Sequence, residues 1–259
     1  MGWEPFLLAA LGGAIVGLLL TLFGGGGSVL ATPWLIYVVG VADPHVAIGT
    51  SAAAVAVNAA TGLAAQARAG QVKWPCATVF AASGLTGALT GAHFAKQVDG
   101  TSLLFWFAVA MIGIALSMLL PKRNEGDPGV RLNPPMVLKL APVGLVTGLA
   151  AGFFGIGGGF LIAPGLMAST GMTLANAGAS SLVSVTLFGS ATSASYAASG
   201  LVSWPLFLAL VGGGAIGTLG ALPISRRLAG KPRLARSVFA AMVIAVAVYI
   251  LFQANLSHP

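Results

Sequence analysis

The chain carries one glycine-rich apolar unit twice. Residues 17–33 read GLLLTLFGGGGSVLATP, and residues 148–164 read GLAAGFFGIGGGFLIAP. At a shift of 131, Phe23 matches Phe154, Gly24-Gly25-Gly26-Gly27 match Gly155-Ile156-Gly157-Gly158, and Pro33 matches Pro164. Downstream the match continues at a shift of 130. Ala47-Ile48-Gly49-Thr50-Ser51 answers Ala177-Gly178-Ala179-Ser180-Ser181, and Gly70-Gln71-Val72-Lys73-Trp74-Pro75 answers Gly200-Leu201-Val202-Ser203-Trp204-Pro205. A duplicated apolar unit broken by glycine is the pattern of membrane transporters built from two repeats.

Composition places the repeats in a bilayer. Only 7% of residues are charged, against 57% hydrophobic, where a soluble domain carries about 25% charged. Too few charges remain to coat a water-facing surface. The net charge of +7 does not indicate nucleic acid, because the basic residues lie in loops between apolar runs, where they orient a chain in the membrane. Cys76 is the single cysteine, which excludes an intrachain disulfide and a Cys-rich metal site. No cofactor is expected. The start MGWEPF has no basic region before its apolar run, so a cleaved signal is not expected.

Ten apolar segments follow, near 6–23, 29–40, 46–66, 75–95 and 103–120, then 137–154, 160–170, 177–198, 204–222 and 235–252. A full crossing needs about 20 residues. The second segment of each half is far shorter, roughly 18 Å as a helix, and follows a glycine run. The expected fold is therefore an all-α integral membrane protein of two inverted five-segment repeats. Gly-rich broken or re-entrant helical hairpins would meet near the midplane. The repeats span 1–120 and 137–259, joined by a polar, Pro-rich cytoplasmic linker at 121–136. With both termini outside, Lys96 is the one cationic residue outside, and the other eleven of the 12 Lys and Arg fall inside, as the positive-inside rule requires.

The glycine turns are the first site candidates: Gly24, Gly25, Gly26, Gly27 and Ser28, and Gly155, Gly157, Gly158 and Gly159. Glycine permits a sharp turn with positive φ, and a helix starting at such a turn offers unpaired N–H groups and partial positive charge. That suits an anion without any cationic side chain. Pro33 and Pro164 follow in the short segments, where an internal proline bends a helix and frees a carbonyl. The third segments add neutral donors, Thr50, Ser51 and Asn58 in one half and Ser180, Ser181 and Ser184 in the other. Such donors ligate an oxyanion and cost less to bury than ions; Ser and Thr equally bond their own backbone or a neighbouring helix. The runs Gly84-x-x-Gly87-x-x-x-Gly91 and Gly213-x-x-x-Gly217 allow close helix approach, inside one chain or between two copies of a homodimer. No acid or base lies deep in an apolar segment, and Asp43, His45 and His93 sit near segment ends, so an embedded enzyme is not expected.

The order of elements resembles the sulfite exporter TauE/SafE family. Its carriers here are GGGGSVLATP, AIGTS and GQVKW in the first half and GIGGGFLIAP, AGASS and GLVSW in the second. The resemblance implies a bacterial inner-membrane permease for small anions of sulfur or two-carbon organic acids, such as sulfite, sulfoacetate or other sulfonates. Export, import, and a non-transporting scaffold subunit stay open at this point.

Overall fold

The computed structural model describes residues 2–119, 126–155, 159–228 and 232–256. Helices are the only regular elements among these residues, joined by short loops, with one isolated β-bridge between Asp127 and Met172. The first half contains α1 (Glu4–Phe23), a 3-10 stretch (Gly24–Leu30), α2 (Ala31–Tyr37), α3 (Pro44–Arg68), α4 (Trp74–Ala95) and α5 (Gly100–Leu119). The second contains α6 (Pro134–Phe154), α7 (Gly159–Thr170), α8 (Leu174–Ala197), α9 (Trp204–Leu228) and α10 (Pro232–Leu256). Several helices begin two or three residues before the apolar runs do. The reason is capping: Asp43, Asn133 and Thr173 accept the first free amides of α3, α6 and α8, and these polar caps lie outside any hydrophobic signal. Residues 121–125 of the expected linker lie outside the described residues.

Among the described residues, five helical stretches are long and apolar enough to cross a bilayer: Glu4–Tyr37, Pro44–Arg68, Pro134–Phe154, Leu174–Ala197 and Trp204–Ala221. The chain is therefore read as a multi-pass membrane protein. Side chains such as Ile216 (71% exposed) and Leu219 (69% exposed) on α9 face outward as a lipid-facing surface would. The apolar windows of α3 and α8 are 67% buried, against 33% for those of α6 and α9, so α3 and α8 form the centre.

Packing pairs the two halves. Helix α1 lies on α9, α4 on α6, α3 on α8, and α5 on α10. Exchanging the halves turns the first of these pairs into the second and leaves the other two unchanged. Glycines make the two outer seams close. A Cβ on Gly17 would strike the backbone of Gly214, and one on Gly213 or Gly217 would strike Ala10 or Ala14. In the same way Gly148 meets Gly84, Gly152 meets Ala88, and Gly87 and Gly91 meet Leu145 and Leu149. Both glycine runs are thus committed within one chain. Helix association in lipid depends on such van der Waals approach, because apolar burial gives little once the helices are inserted.

The loops gather at two ends. At one, Pro44 packs against Gly100, Lys96 Nζ donates to Ser195 O and Ser199 Oγ, and the loop 198–203 reaches α3. At the other, Asp127 N donates to Gly171 O, Asn176 Nδ2 donates to Pro128 O, and the loop 69–73 reaches α8.

Candidate anion site

The glycine turns set the geometry. Helix α1 ends where Gly24 takes φ +67°, and α6 ends where Gly155 takes φ +66°. These are matched positions, and only glycine enters this region without strain. After Gly24 the chain doubles back along α1: Trp34 Nε1 donates to Leu8 O at 2.8 Å, and Gly27 rests on the backbone of Leu19 and Leu20. The two turns touch. Gly25 lies so close to Gly159, the first residue of α7, that a Cβ on either would collide with the other's backbone. Gly24 abuts Gly178 on α8, and Gly155 abuts Ile48 on α3, again matched positions. Gly26 and Gly27 are buried in the same turn. Gly157 and Gly158 lie outside the described residues.

Hydroxyls bond the first turn and the helices next to it. Ser181 Oγ accepts from Gly25 N at 3.0 Å and donates to Gly178 O at 2.7 Å. Ser28 Oγ donates to Gly25 O at 2.8 Å. Ser51 Oγ lies 3.0 Å from Ile48 O and 2.6 Å from Thr32 Oγ1. Ser184, one helical turn beyond Ser181, is fully buried and its Oγ has no hydrogen-bond partner. An uncommitted buried hydroxyl costs free energy unless something arrives to use it. Apart from Tyr196 and Cys76, every buried polar side chain among the described residues is a Thr, Ser or Asn, and none of them is cationic.

Other candidates fall elsewhere. Asn58 faces α9, where Gly214 leaves it room; its Nδ2 lies 3.5 Å from Leu210 O and its Oδ1 has no partner. Pro33 is the third residue of α2, not an internal kink, and a first-turn proline removes no helical hydrogen bond. Pro164 does lie inside its helix, α7. Thr50 and Ser180 point away from the glycine contact toward loops. Thr50 Oγ1 accepts from Ser203 N at 2.9 Å, and Ser180 Oγ accepts from Lys73 N at 2.9 Å. Thr32 escapes a reading by repeats, because its counterpart is Ala163.

The sequence matches are as regular as the packing. Residues 9–250 match the family described as Sulfite exporter TauE/SafE. The chain belongs to that family. A probable membrane transporter protein of Xylella fastidiosa (strain Temecula1) is 44% identical over 247 residues, covering 93% of each chain. A probable membrane transporter protein of Bacillus subtilis, YunE, is 29% identical over 247 residues, covering 87% of this chain and 90% of its own. No solved structure matches. In this TauE/SafE member the two recurrent motifs are hydrogen-bonded partners. The GTS-like element of each half holds the amide before the tryptophan of the other half's G-x-V-x-W element.

Proposed function

We propose that this protein carries a small oxyanion of sulfur, sulfite or a sulfonate such as sulfoacetate, out of a bacterial cell across the inner membrane. The observation that carries the reading is the backbone contact between Gly25 and Gly159, with Ser181 on the Gly25 amide and no buried cation among the described residues. The turn around Gly25 and the first turn of α7 supply amide dipoles at one point. In the closed arrangement Ser181 Oγ occupies the Gly25 amide; the arriving anion takes its place there. Dipoles and hydroxyls hold an anion weakly enough to release it, where a buried lysine would trap it.

The two halves, 1–120 and 137–259, are inverted repeats across the linker 121–136, and the glycine-broken hairpins meet near the midplane. The exchange symmetry of the packing pairs supports this. So does the grouping of the loops at two ends, Pro44, Gly100 and 198–203 at one and 126–129 and 171–176 at the other; in this reading the first end faces outside and the cation-rich loops face inside. Alternating access then consists of opening one end while the other stays shut. Thr50 and Ser180 hold the loops at the two ends of that path, and Ser51 pairs with Thr32 along it.

An interior-negative cell drives an anion outward. One charge crossing 100 mV is worth about 2.3 kcal/mol, or about fiftyfold in concentration. The test is sulfite and sulfoacetate flux in proteoliposomes with an imposed potassium diffusion potential. Flux that follows the sign of the potential is expected. Flux of neither anion at any potential would defeat the reading, and flux of carboxylates alone would redirect the substrate.

A further inference from the structure

The two ends of the molecule are built alike, with one chemical exception. At a shift of 130, His45 matches Ala175 and Tyr196 matches Gln66. The end that holds Thr50 and Ser203 therefore has an imidazole and a phenol where the other end has a methyl and an amide. Their rings lie 6.3 Å apart, inclined by 33°. Tyr196 is fully buried and its hydroxyl has no hydrogen-bond partner; His45 Nδ1 is buried and has none either. Two unpartnered titratable groups side by side are costly unless one of them binds something. Both are tied to the closure of this end. Tyr196 O accepts from Ser199 N and Leu201 N at 3.0 and 2.9 Å, which shapes the loop that Thr50 holds through Ser203. Tyr196 also packs against Gly49.

We propose that His45 and Tyr196 form a proton-binding site, and that proton uptake at His45 Nδ1 opens this end of the molecule. One proton passes to Nδ1 from hydronium in the adjoining water: an O–H bond breaks, leaving water, and the N–H bond forms. The neutral ring fits the closed packing. A proton on Nδ1 makes it a donor, and the closed packing offers that atom no acceptor, so uptake favours the arrangement in which water reaches it. Histidine is suited to this, since its ordinary protonation range spans neutrality. The charged neighbours are committed. Asp43 Oδ1 accepts from the backbone His45 N at 2.8 Å. Asp99 Oδ2 accepts from Ser102 N, and Lys96 donates to Ser195 and Ser199 of the α8 end. Tyr37 on α2 turns away to Tyr249, and 198–208 contains no charged residue. A symmetric scaffold thereby gains a one-sided trigger. Coupling to flux rests on the transport reading; the proton site itself does not.

The test uses the full chain in liposomes with a cysteine at Ser203 and Cys76→Ser. Labelling rate is followed from about pH 5 to about pH 8, normalised at each pH to denatured protein. Labelling several-fold faster at the acid end is expected. H45Q should flatten the profile, Y196F should shift its midpoint, and H93Q should leave it unchanged. An H45Q profile that superimposes on the parent, or an unshifted Y196F profile, overturns the proposal. Sulfite flux measured on the same vesicles separates the two claims. Flux with an H45Q-insensitive pH profile sinks the proton site alone, and an H45Q-sensitive profile without flux of any anion sinks the transport reading alone.

Discussion

At the scale of single residues, the Ser181 hydroxyl is the sharpest element of the site. It accepts the Gly25 amide across 156 positions of sequence. Ser181→Ala leaves that amide unpaired in the empty protein, which costs about 1 to 3 kcal/mol. An anion at Gly25 restores the missing acceptor. The account therefore predicts a lower melting temperature without ligand and a larger rise on adding sulfite than in the parent protein. Equal ligand-induced shifts in the two proteins would show that the anion does not use this amide. The glycine turn is legible in sequence because four consecutive glycines break an apolar run. Thr32 and Tyr196 are not legible: their matched positions hold the unlike residues Ala163 and Gln66, so the repeat gives no reason to single them out. Pro33 misleads because its distance from the glycine run suggests a helix interior, whereas the 3-10 stretch delays the start of α2 to Ala31.

At the scale of elements, two hydrogen bonds join the halves in a reciprocal way. Thr50 on α3 holds the residue before α9, and Ser180 on α8 holds the residue before α4. Each accepts a backbone amide that the following helix leaves free. Thr50→Val should loosen the 198–203 loop, and Ser180→Ala the 69–73 loop. Cysteines placed at Ser203 and Lys73 report this by labelling rate. Each substitution is expected to speed labelling at its own end and leave the other unchanged; a change at both ends together would mean that the bonds are not independent. The motifs themselves are visible in the sequence, but their pairing is not, since the partners lie 153 and 107 residues apart. The helix seams give a second contrast. Gly213 abuts the Ala10 backbone, while a Cβ on neighbouring Gly212 meets nothing within 4 Å. Gly213→Ala should destabilise by about 1 to 3 kcal/mol through overpacking. Gly212→Ala should be neutral or stabilising by up to about 1 kcal/mol, from helix propensity. Thermal unfolding of the two variants in detergent reads both, and similar losses in the two would contradict the seam.

At the scale of the molecule, the central idea is that two copies of one unit cross so that their glycine turns meet. Apolar runs reveal the helices, and the shift of 130 or 131 reveals the duplication. Which helix packs on which is not written in either, because it depends on glycines of one half facing backbone of the other. Charge in the loops adds orientation. A cysteine at Gly126 and another in the loop 198–203 should label from opposite sides of the membrane, and labelling from one side would break the inverted arrangement. The most direct measurement is the position of a bound anion. Crystals soaked in selenite, the heavier analogue of sulfite, give an anomalous signal from the anion itself. The account predicts a peak within hydrogen-bonding reach of the Gly25 amide, beside Gly159 and Ser184. A peak found only against the loop cations, such as Arg68 and Lys73, with the glycine contact unchanged, would contradict it.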